Sequence, residues 1–269
     1  MTNTDSKLDK LQVYLKHLKK VTVAVSGGVD SMTLAYVSHQ TLGSKAKIIH
    51  SISAAVPTCD TARIREFADT YNWNIQFVDS GEINHPEYKT NPVNRCYFCK
   101  TCLYTKLSSF NHGTVVSGTN LDDLDDYRPG LIAAKEHNVL HPYVEVGINK
   151  QTIREMALRL GLPQLSVLPA SPCLASRIET GISVNEESLN LIQDIETRLN
   201  ELLHCDSLRC RVQSGKITIE INRTQLSSLS SKKITILKIE VEKITQQYQL
   251  NIPITFTPYK RGSAFIGAK

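Results

Sequence analysis

The chain has 269 residues, 41% hydrophobic and 21% charged, with a net charge of +5. That composition describes a globular protein with a substantial core and excludes a disordered or fibrous chain. No stretch approaches the roughly 18 apolar residues needed to cross a membrane, and the modest charge suits anionic small molecules without calling for nucleic acid.

Residues 1–10 are polar and charged, which does not read as a secretory leader, so a cytoplasmic location is expected. Residues 21–25 (Val-Thr-Val-Ala-Val) predict a strand and residues 31–42 a helix. Between them lie Ser26, Gly27, Gly28, Val29, Asp30 and Ser31. Adjacent glycines let the backbone curl and aim successive N–H groups at one point. The following helix adds its positive end, so the turn is a candidate anion cradle. Ser26 and Ser31 offer hydroxyls to phosphate oxygens, and Asp30 either places a metal ion such as Mg²⁺ or caps the helix. No lysine follows the glycines, so a Walker phosphoryl-transfer loop is disfavoured.

Further strands are predicted at 46–52, 75–78 and 114–117, and helices at 60–71, from near Cys96, at 128–137 and at 150–160. Alternation of this length predicts a parallel sheet with helices on both faces, with ligand beyond the carboxyl ends of its strands. After Gly181 the pattern changes. A helix over 186–203 is followed by a hairpin turning at Ser214-Gly215, whose alternation predicts one buried face. A helix through Ile234, Leu237, Val241, Ile244 and Tyr248 and a strand through Ile252, Ile254 and Phe256 complete a small α+β domain. The expected boundary lies near residue 182, giving domains 1–182 and 183–269.

Seven cysteines in a chain without a leader argue for metal or redox chemistry over a disulfide framework. Cys96 and Cys99, two residues apart, can bring both sulfurs to one metal or iron–sulfur cluster. A helix starting near Cys96 puts them on one face and turns Cys102 partly away. Cys96, Cys99 and Cys173 therefore form the favoured ligand set, and three ligands on a 4Fe-4S cluster leave one iron open. Cys173 sits between Pro172 and Arg177. It reads equally as a stabilised, reactive thiolate and as a space-filling loop residue.

Taken together, these motifs resemble the ATP-dependent sacrificial sulfur insertases, the LarE-like branch of the pyrophosphatase-loop (adenine nucleotide alpha-hydrolase-like, Rossmann-like) enzymes. The likeness rests on residues 26–31, 91–100, 118–130, 172–178, 209–212 and 259–263, in order along the chain. Residues 164–169 and 179–181 depart from that family's pattern. The resemblance implies an N-terminal pyrophosphatase-loop domain and a smaller C-terminal α+β domain for substrate binding and oligomerisation. It implies ATP and Mg²⁺ on residues 26–31, with Gly118 and Asp123 at the nucleotide. A substrate carboxylate would be adenylated with release of pyrophosphate and converted to a thiocarboxylate. The family substrate is pyridinium-3,5-biscarboxylic acid mononucleotide, on the route to a nickel-pincer cofactor. Sulfur would come from Cys173, left as dehydroalanine in some members, or from sulfide on a cluster held by Cys96, Cys99 and Cys173. Arg177 is expected at the reaction, Arg209, Arg211 and Arg261 at the anionic substrate, and Asp122, Asp125 and Asp126 offer further metal or ribose contacts. A ring-like homo-oligomer is implied. Competing readings are a tRNA-thiolating enzyme, which would predict a more basic surface, ATP-driven amide synthesis, which leaves the cysteines unexplained, and a non-enzymatic nucleotide or iron–sulfur binding module.

Overall fold

A computed structural model describes residues 3–124, 128–205, 207–260 and 262–264. The chain opens with α1 (Asn3–Leu18), β1 (Val21–Val25), α2 (Val29–Leu42), β2 (Ala46–Ser51), α3 (Thr58–Tyr71) and β3 (Ile75–Val78). There follow a one-turn helix α4 (Pro86–Lys89), α5 (Arg95–Ser108), β4 (Thr114–Ser117), α6 (Pro129–Glu136), α7 (Pro142–Glu145), α8 (Lys150–Arg159) and α9 (Pro163–Ser166). The last elements are α10 (Glu186–Leu203), β5 (Leu208–Gln213), β6 (Lys216–Ile221), α11 (Arg223–Ser228), α12 (Ser231–Gln247) and β7 (Ile254–Pro258). They form two compact units, Met1–Glu82 with Asn94–Ser171, and Ile83–Val93 with Pro172–Lys269.

The first unit is a parallel α/β sheet of order β3-β2-β1-β4, as the alternation predicts. β1 is central, with Val21 opposite both Ala46 of β2 and Thr114 of β4. Its mainly apolar run follows from that position, because a central parallel strand is covered on both faces, and the hydroxyl of buried Thr22 is bonded to the His112 carbonyl at 3.3 Å. One apolar layer joins Leu11, Leu15, Met32, Leu34, Ile153 and Met156, from α1, α2 and α8. Another joins Ile49, Tyr104, Leu107, Val115, Ala133 and Ala134, which seats α5 and α6. The polar residues from Asn3 onward form helix α1. Leu11 and Leu15, one turn apart and wholly buried, anchor it. Successive strands run outward from β1 to β2 and β3, and then the chain returns to the other side of β1 with β4. The reversal leaves a crevice between the carboxyl ends of β1 and β4, the place where such sheets bind ligands.

In the second unit β5 and β6 pair antiparallel, Cys210 opposite Ile219. The turn is at Gly215, whose φ of +71° suits a residue without Cβ. β7 joins β6 in parallel after the α12 crossover, so this sheet is mixed. The predicted single buried face is an underestimate. Ile217, Ile219 and Ile221 are buried, and so are Thr218 and Glu220 on the opposite face, where Glu220 is matched by Arg211. The unit opens at Pro172, ahead of the expected boundary near 182, and takes in residues 83–93. Asn91 explains the inclusion: its amide donates to the carbonyls of Glu179 and Ile182, both at 2.9 Å, and its own carbonyl accepts the Gly181 N–H at 3.0 Å.

Candidate active site

The glycine turn emerges from β1 and closes on itself. Buried Ser31 accepts the Ser26 N–H at 3.0 Å, donates to the Gly28 carbonyl at 3.3 Å and lies 3.1 Å from the exposed Ser26 hydroxyl. Ser31 therefore holds the loop's shape, and Ser26 is the hydroxyl presented outward. The two glycines differ. Gly27 has φ +85°, and a Cβ there would stand 2.6 Å from Asp60 Cβ. Gly28 is extended (φ −77°, ψ 160°) and open, its nearest neighbour the Ser26 hydroxyl oxygen at 4.0 Å. Gly28 is also the N-cap of α2 and supplies no side-chain cap, which leaves first-turn amides for an anion. Gly118, at the end of β4, approaches just as closely from the other side of the crevice. A Cβ at Gly118 would stand 2.8 Å from the Ser31 nitrogen.

Residues without a sequence signal brace this loop. Asp60 is buried; it pairs with Arg63 at 2.6 Å and accepts the Ser171 hydroxyl at 2.7 Å. Arg63 donates to the Gly27 carbonyl at 2.8 Å. His50, at the carboxyl end of β2, donates from Nδ1 to the Val25 carbonyl at 3.0 Å and accepts the Thr61 hydroxyl on Nε2 at 2.9 Å. The neutral ring thus ties the last residue of β1 to α3.

Burial holds His50 below its usual 6.5, against the raising effects of the Val25 bond and Asp60 and with a smaller lowering effect from Arg65. Burial likewise lowers His141. A folded-state pKa below the unfolded one means the contribution is complete above about pH 6.5 and drains away as pH falls toward the folded value. The denaturation midpoint is therefore expected to drop between about pH 7.5 and about pH 5.5, and less so in His50→Gln. An identical pH slope in the variant would show that His50 does not carry the effect.

Asp30 lies in the first turn of α2. Its carboxylate is bound by the Lys150 ammonium and, at 3.4 Å, by the Asn120 amide, while Tyr143 donates to its backbone carbonyl at 3.0 Å. Burial raises its pKa and Lys150 opposes that rise. Asp123 accepts the Asn120 N–H at 3.1 Å and pairs with Arg128 at 2.8 Å, so it closes a capping box at the carboxyl end of β4. Asp122 accepts the Lys150 N–H at 2.9 Å. Asp125 and Asp126 lie outside the described residues.

Cys96 and Cys99 occupy the first two turns of α5, three residues apart and so on one helical face, with Cys96 exposed. Gly130 lets α6 approach α5: its Cβ would be 3.0 Å from Lys100 Cγ. Burial and then Glu82 push the Cys102 thiol up, away from thiolate. None of the seven cysteines is in a disulfide. Cys173 belongs to the second unit. Among the described residues no three His, Cys, Asp or Glu side chains form a group that could hold a metal ion. Cys96 and Cys99 could supply two ligands to a metal or cluster.

Cys173 is exposed and begins the short 3-10 turn Leu174–Arg177, whose Leu174 and Ala175 are buried as anchors. Arg177 is 3% exposed and fully engaged. It grips Glu196 through two 3.0 Å contacts and reaches the carbonyls of Pro172 at 2.6 Å and Cys173 at 3.1 Å. Glu196 also accepts the Cys210 N–H at 2.8 Å. Arg211 pairs with Glu220 at 2.7 Å and donates to the Ser176 carbonyl at 3.0 Å. Arg209 lies 5.9 Å from the Tyr259 ring, and burial followed by the Arg177 charge lowers its pKa. Arg209 also donates to the Leu208 carbonyl at 2.7 Å. Arg261 lies outside the described residues.

No model of a known protein family matches the chain. The uncharacterized protein slr1717 of Synechocystis is 34% identical over 226 residues, covering 82% of this chain and 84% of its own. The chain belongs to the family of slr1717. The uncharacterized protein MJ0830 of Methanocaldococcus jannaschii is 31% identical over 86% of this chain and 90% of its own length. The pyridinium-3,5-bisthiocarboxylic acid mononucleotide synthase of Lactiplantibacillus plantarum is 26% identical over 88% of this chain and 92% of its own. The slr1717-family chain thus has the Rossmann-like pyrophosphatase-loop fold beside a separate mixed sheet, and it resembles a synthase that makes thiocarboxylates. Among the described residues no helix is long and apolar enough to cross a membrane.

Proposed function

We propose that the protein is an ATP-dependent sulfur transferase that adenylates a carboxylate on a small, nucleotide-like substrate and replaces its oxygen with sulfur. The observation that carries this reading is the uncapped glycine turn at the switch point of the parallel sheet, in a chain that also presents the exposed thiol of Cys173. The similarity to the bisthiocarboxylic acid mononucleotide synthase supports pyridinium-3,5-biscarboxylic acid mononucleotide as the acceptor. Residues 1–182 bind ATP in this reading, and residues 183–269 contribute acceptor binding and the contacts of a homo-oligomer.

The α2 amides and Ser26 hold the phosphates. Asp30 is a fitting single carboxylate for Mg²⁺, which usually takes one or two carboxylates and completes its shell with phosphate and water. Bound there, it would neutralise phosphate charge. An acceptor carboxylate oxygen attacks the α-phosphorus, the bond to the β-phosphate breaks, and pyrophosphate leaves. The Cys173 sulfur then attacks the acyl carbon and expels AMP, giving a thioester. Loss of the Cys173 Cα proton to a base and cleavage of its Cβ–S bond leave a thiocarboxylate on the substrate and dehydroalanine in the chain. We read Arg177 as a positioning residue that fixes the Cys173 turn through two backbone carbonyls. Arg209, Arg211 and Arg261 remain the arginines that would bind the anionic acceptor in this reading.

Cys173→Ala is expected to keep AMP and pyrophosphate formation with the biscarboxylic mononucleotide and to form no thiocarboxylate. Mass spectrometry of the wild type after one turnover is expected to show loss of H₂S from the peptide carrying Cys173. Absence of AMP release with this acceptor overturns the adenylation. Stoichiometric iron and labile sulfide in anaerobic protein, lost in Cys96→Ala, would move the sulfur source from Cys173 to a 4Fe-4S cluster on Cys96, Cys99 and Cys173.

A further inference from the structure

Residues 169–173 are exposed without interruption, and the last of them is Cys173. Behind them Arg154 grips the Leu168 carbonyl at 2.6 Å; after them Leu174 and Ala175 are buried. The exposed stretch buries no apolar side chain, and Pro169 and Pro172 have no N–H to donate. Ser171 nonetheless reaches inward. Its hydroxyl donates at 2.7 Å to the carboxylate of Asp60, a residue 1% exposed. Asp60 is a rigid post: it lies in the first turn of α3, and Arg63 holds its other oxygen at 2.6 Å. The same Arg63 nitrogen donates to the Gly27 carbonyl at 2.8 Å. One buried carboxylate therefore joins the glycine turn to Ser171, the last residue of the first unit, two residues ahead of the thiol.

We propose that Ser171 is a positioning residue for sulfur transfer: through Asp60 it registers the start of the Cys173 segment to the glycine turn, so that the thiol meets the acyl adenylate before water does. The proposal rests on the adenylation reading above and names the group that couples its two steps. An acyl adenylate is open to two attackers. Sulfur attack expels AMP and gives the thioester. Water attack expels AMP and returns the carboxylate, so ATP is consumed without product. Orientation of the nucleophile decides between them, and a misplacement of about 1 Å can cost about a hundredfold in rate. An exposed, proline-flanked stretch has few means of holding a position, and a hydrogen bond to a carboxylate is among the stronger ones. Arg63 keeps Asp60 and the Gly27 carbonyl in place without Ser171, so this hydroxyl serves the thiol segment and not the turn.

The test is a single turnover of the full chain with ATP, Mg²⁺ and the biscarboxylic mononucleotide, reading thiocarboxylate formed per AMP released in wild type, Ser171→Ala and Ser171→Thr. The ratio is expected to fall at least about fivefold in Ser171→Ala, the order of one charge-assisted hydrogen bond, and to return to within about twofold of wild type in Ser171→Thr, which keeps the hydroxyl. AMP formation is expected to stay within about twofold throughout. Hydrogen exchange of the Ser171 and Cys173 amides, measured without ligands, is expected to quicken at least about fivefold in Ser171→Ala. An unchanged ratio in Ser171→Ala overturns the proposal. So does an equal fall in AMP and thiocarboxylate with a lowered thermal midpoint, since Ser171 would then be a staple of the fold, and so does unchanged exchange, since the hydroxyl would then anchor nothing. A wild-type protein that releases no AMP sinks the adenylation reading itself, a result distinct from any change at Ser171.

Discussion

Gly27→Ala is expected to destabilise the first unit by about 2–4 kcal/mol and to abolish AMP formation. Two costs add at this position. The backbone sits at φ +85°, where a side chain is strained, and the new methyl would overlap Asp60 Cβ at 2.6 Å and press on the Asp60 backbone at 3.1 Å. Asp60 cannot retreat cheaply, because Arg63 and Ser171 hold its two carboxylate oxygens. Gly28→Ala is the control, for that position is extended and open. Its stability should stay within about 1 kcal/mol of wild type, so any loss of AMP formation there would come from crowding the anion cradle. Urea denaturation beside an AMP-release assay separates the two. Equal stability of Gly27→Ala and Gly28→Ala would mean that the Asp60 contact yields freely.

Arg177→Met is expected to cost about 3–5 kcal/mol, because it strands the buried Glu196 carboxylate. The pair is 3% and 9% exposed by side chain, and among the described residues Glu196 keeps the Cys210 N–H when the arginine is gone. The Pro172 and Cys173 carbonyls lose their donor as well, which loosens the turn that carries the thiol. The double variant Arg177→Met/Glu196→Leu should recover much of the stability, since removing both charges removes the desolvation problem. It should not restore sulfur transfer, because the turn remains unheld. Denaturant midpoints and the rate of Cys173 alkylation report these separately. A double variant as unstable as Arg177→Met would show that the cost lies in the backbone contacts and not in the stranded charge.

Short-range chemistry made much of this protein legible. Gly27-Gly28 after an apolar strand located the turn, and strand–helix alternation gave the parallel sheet. Contacts made from far along the chain were not legible. His50 sits in a strand, Asp60 and Arg63 in a helix, and Lys150 at a helix start, and nothing in their local pattern marks their approach to residues 25–30. Asn149 before α8 is a readable cap, yet it predicts only where Lys150 begins. The leucines of α1 stand at helical spacing, but the many polar residues around them mask that period.

The sequence alone determined the elements that depend on neighbours: the central apolar strand, the glycine turn, the hairpin at Gly215 and the two cysteines on one face of α5. Those features follow from backbone freedom and side-chain periodicity, which act over a few residues. Only the tertiary structure decided which glycine is indispensable, because Gly27 and Gly28 differ in φ and in what packs against them. It alone showed Arg177 buried against Glu196 and bound to the Pro172 and Cys173 carbonyls, since burial and charge pairing are set by Glu196 on α10. It alone put Lys150 on Asp30, because an ion pair is made by the distance between two side chains, and here the fold brings together residues that lie far apart along the chain.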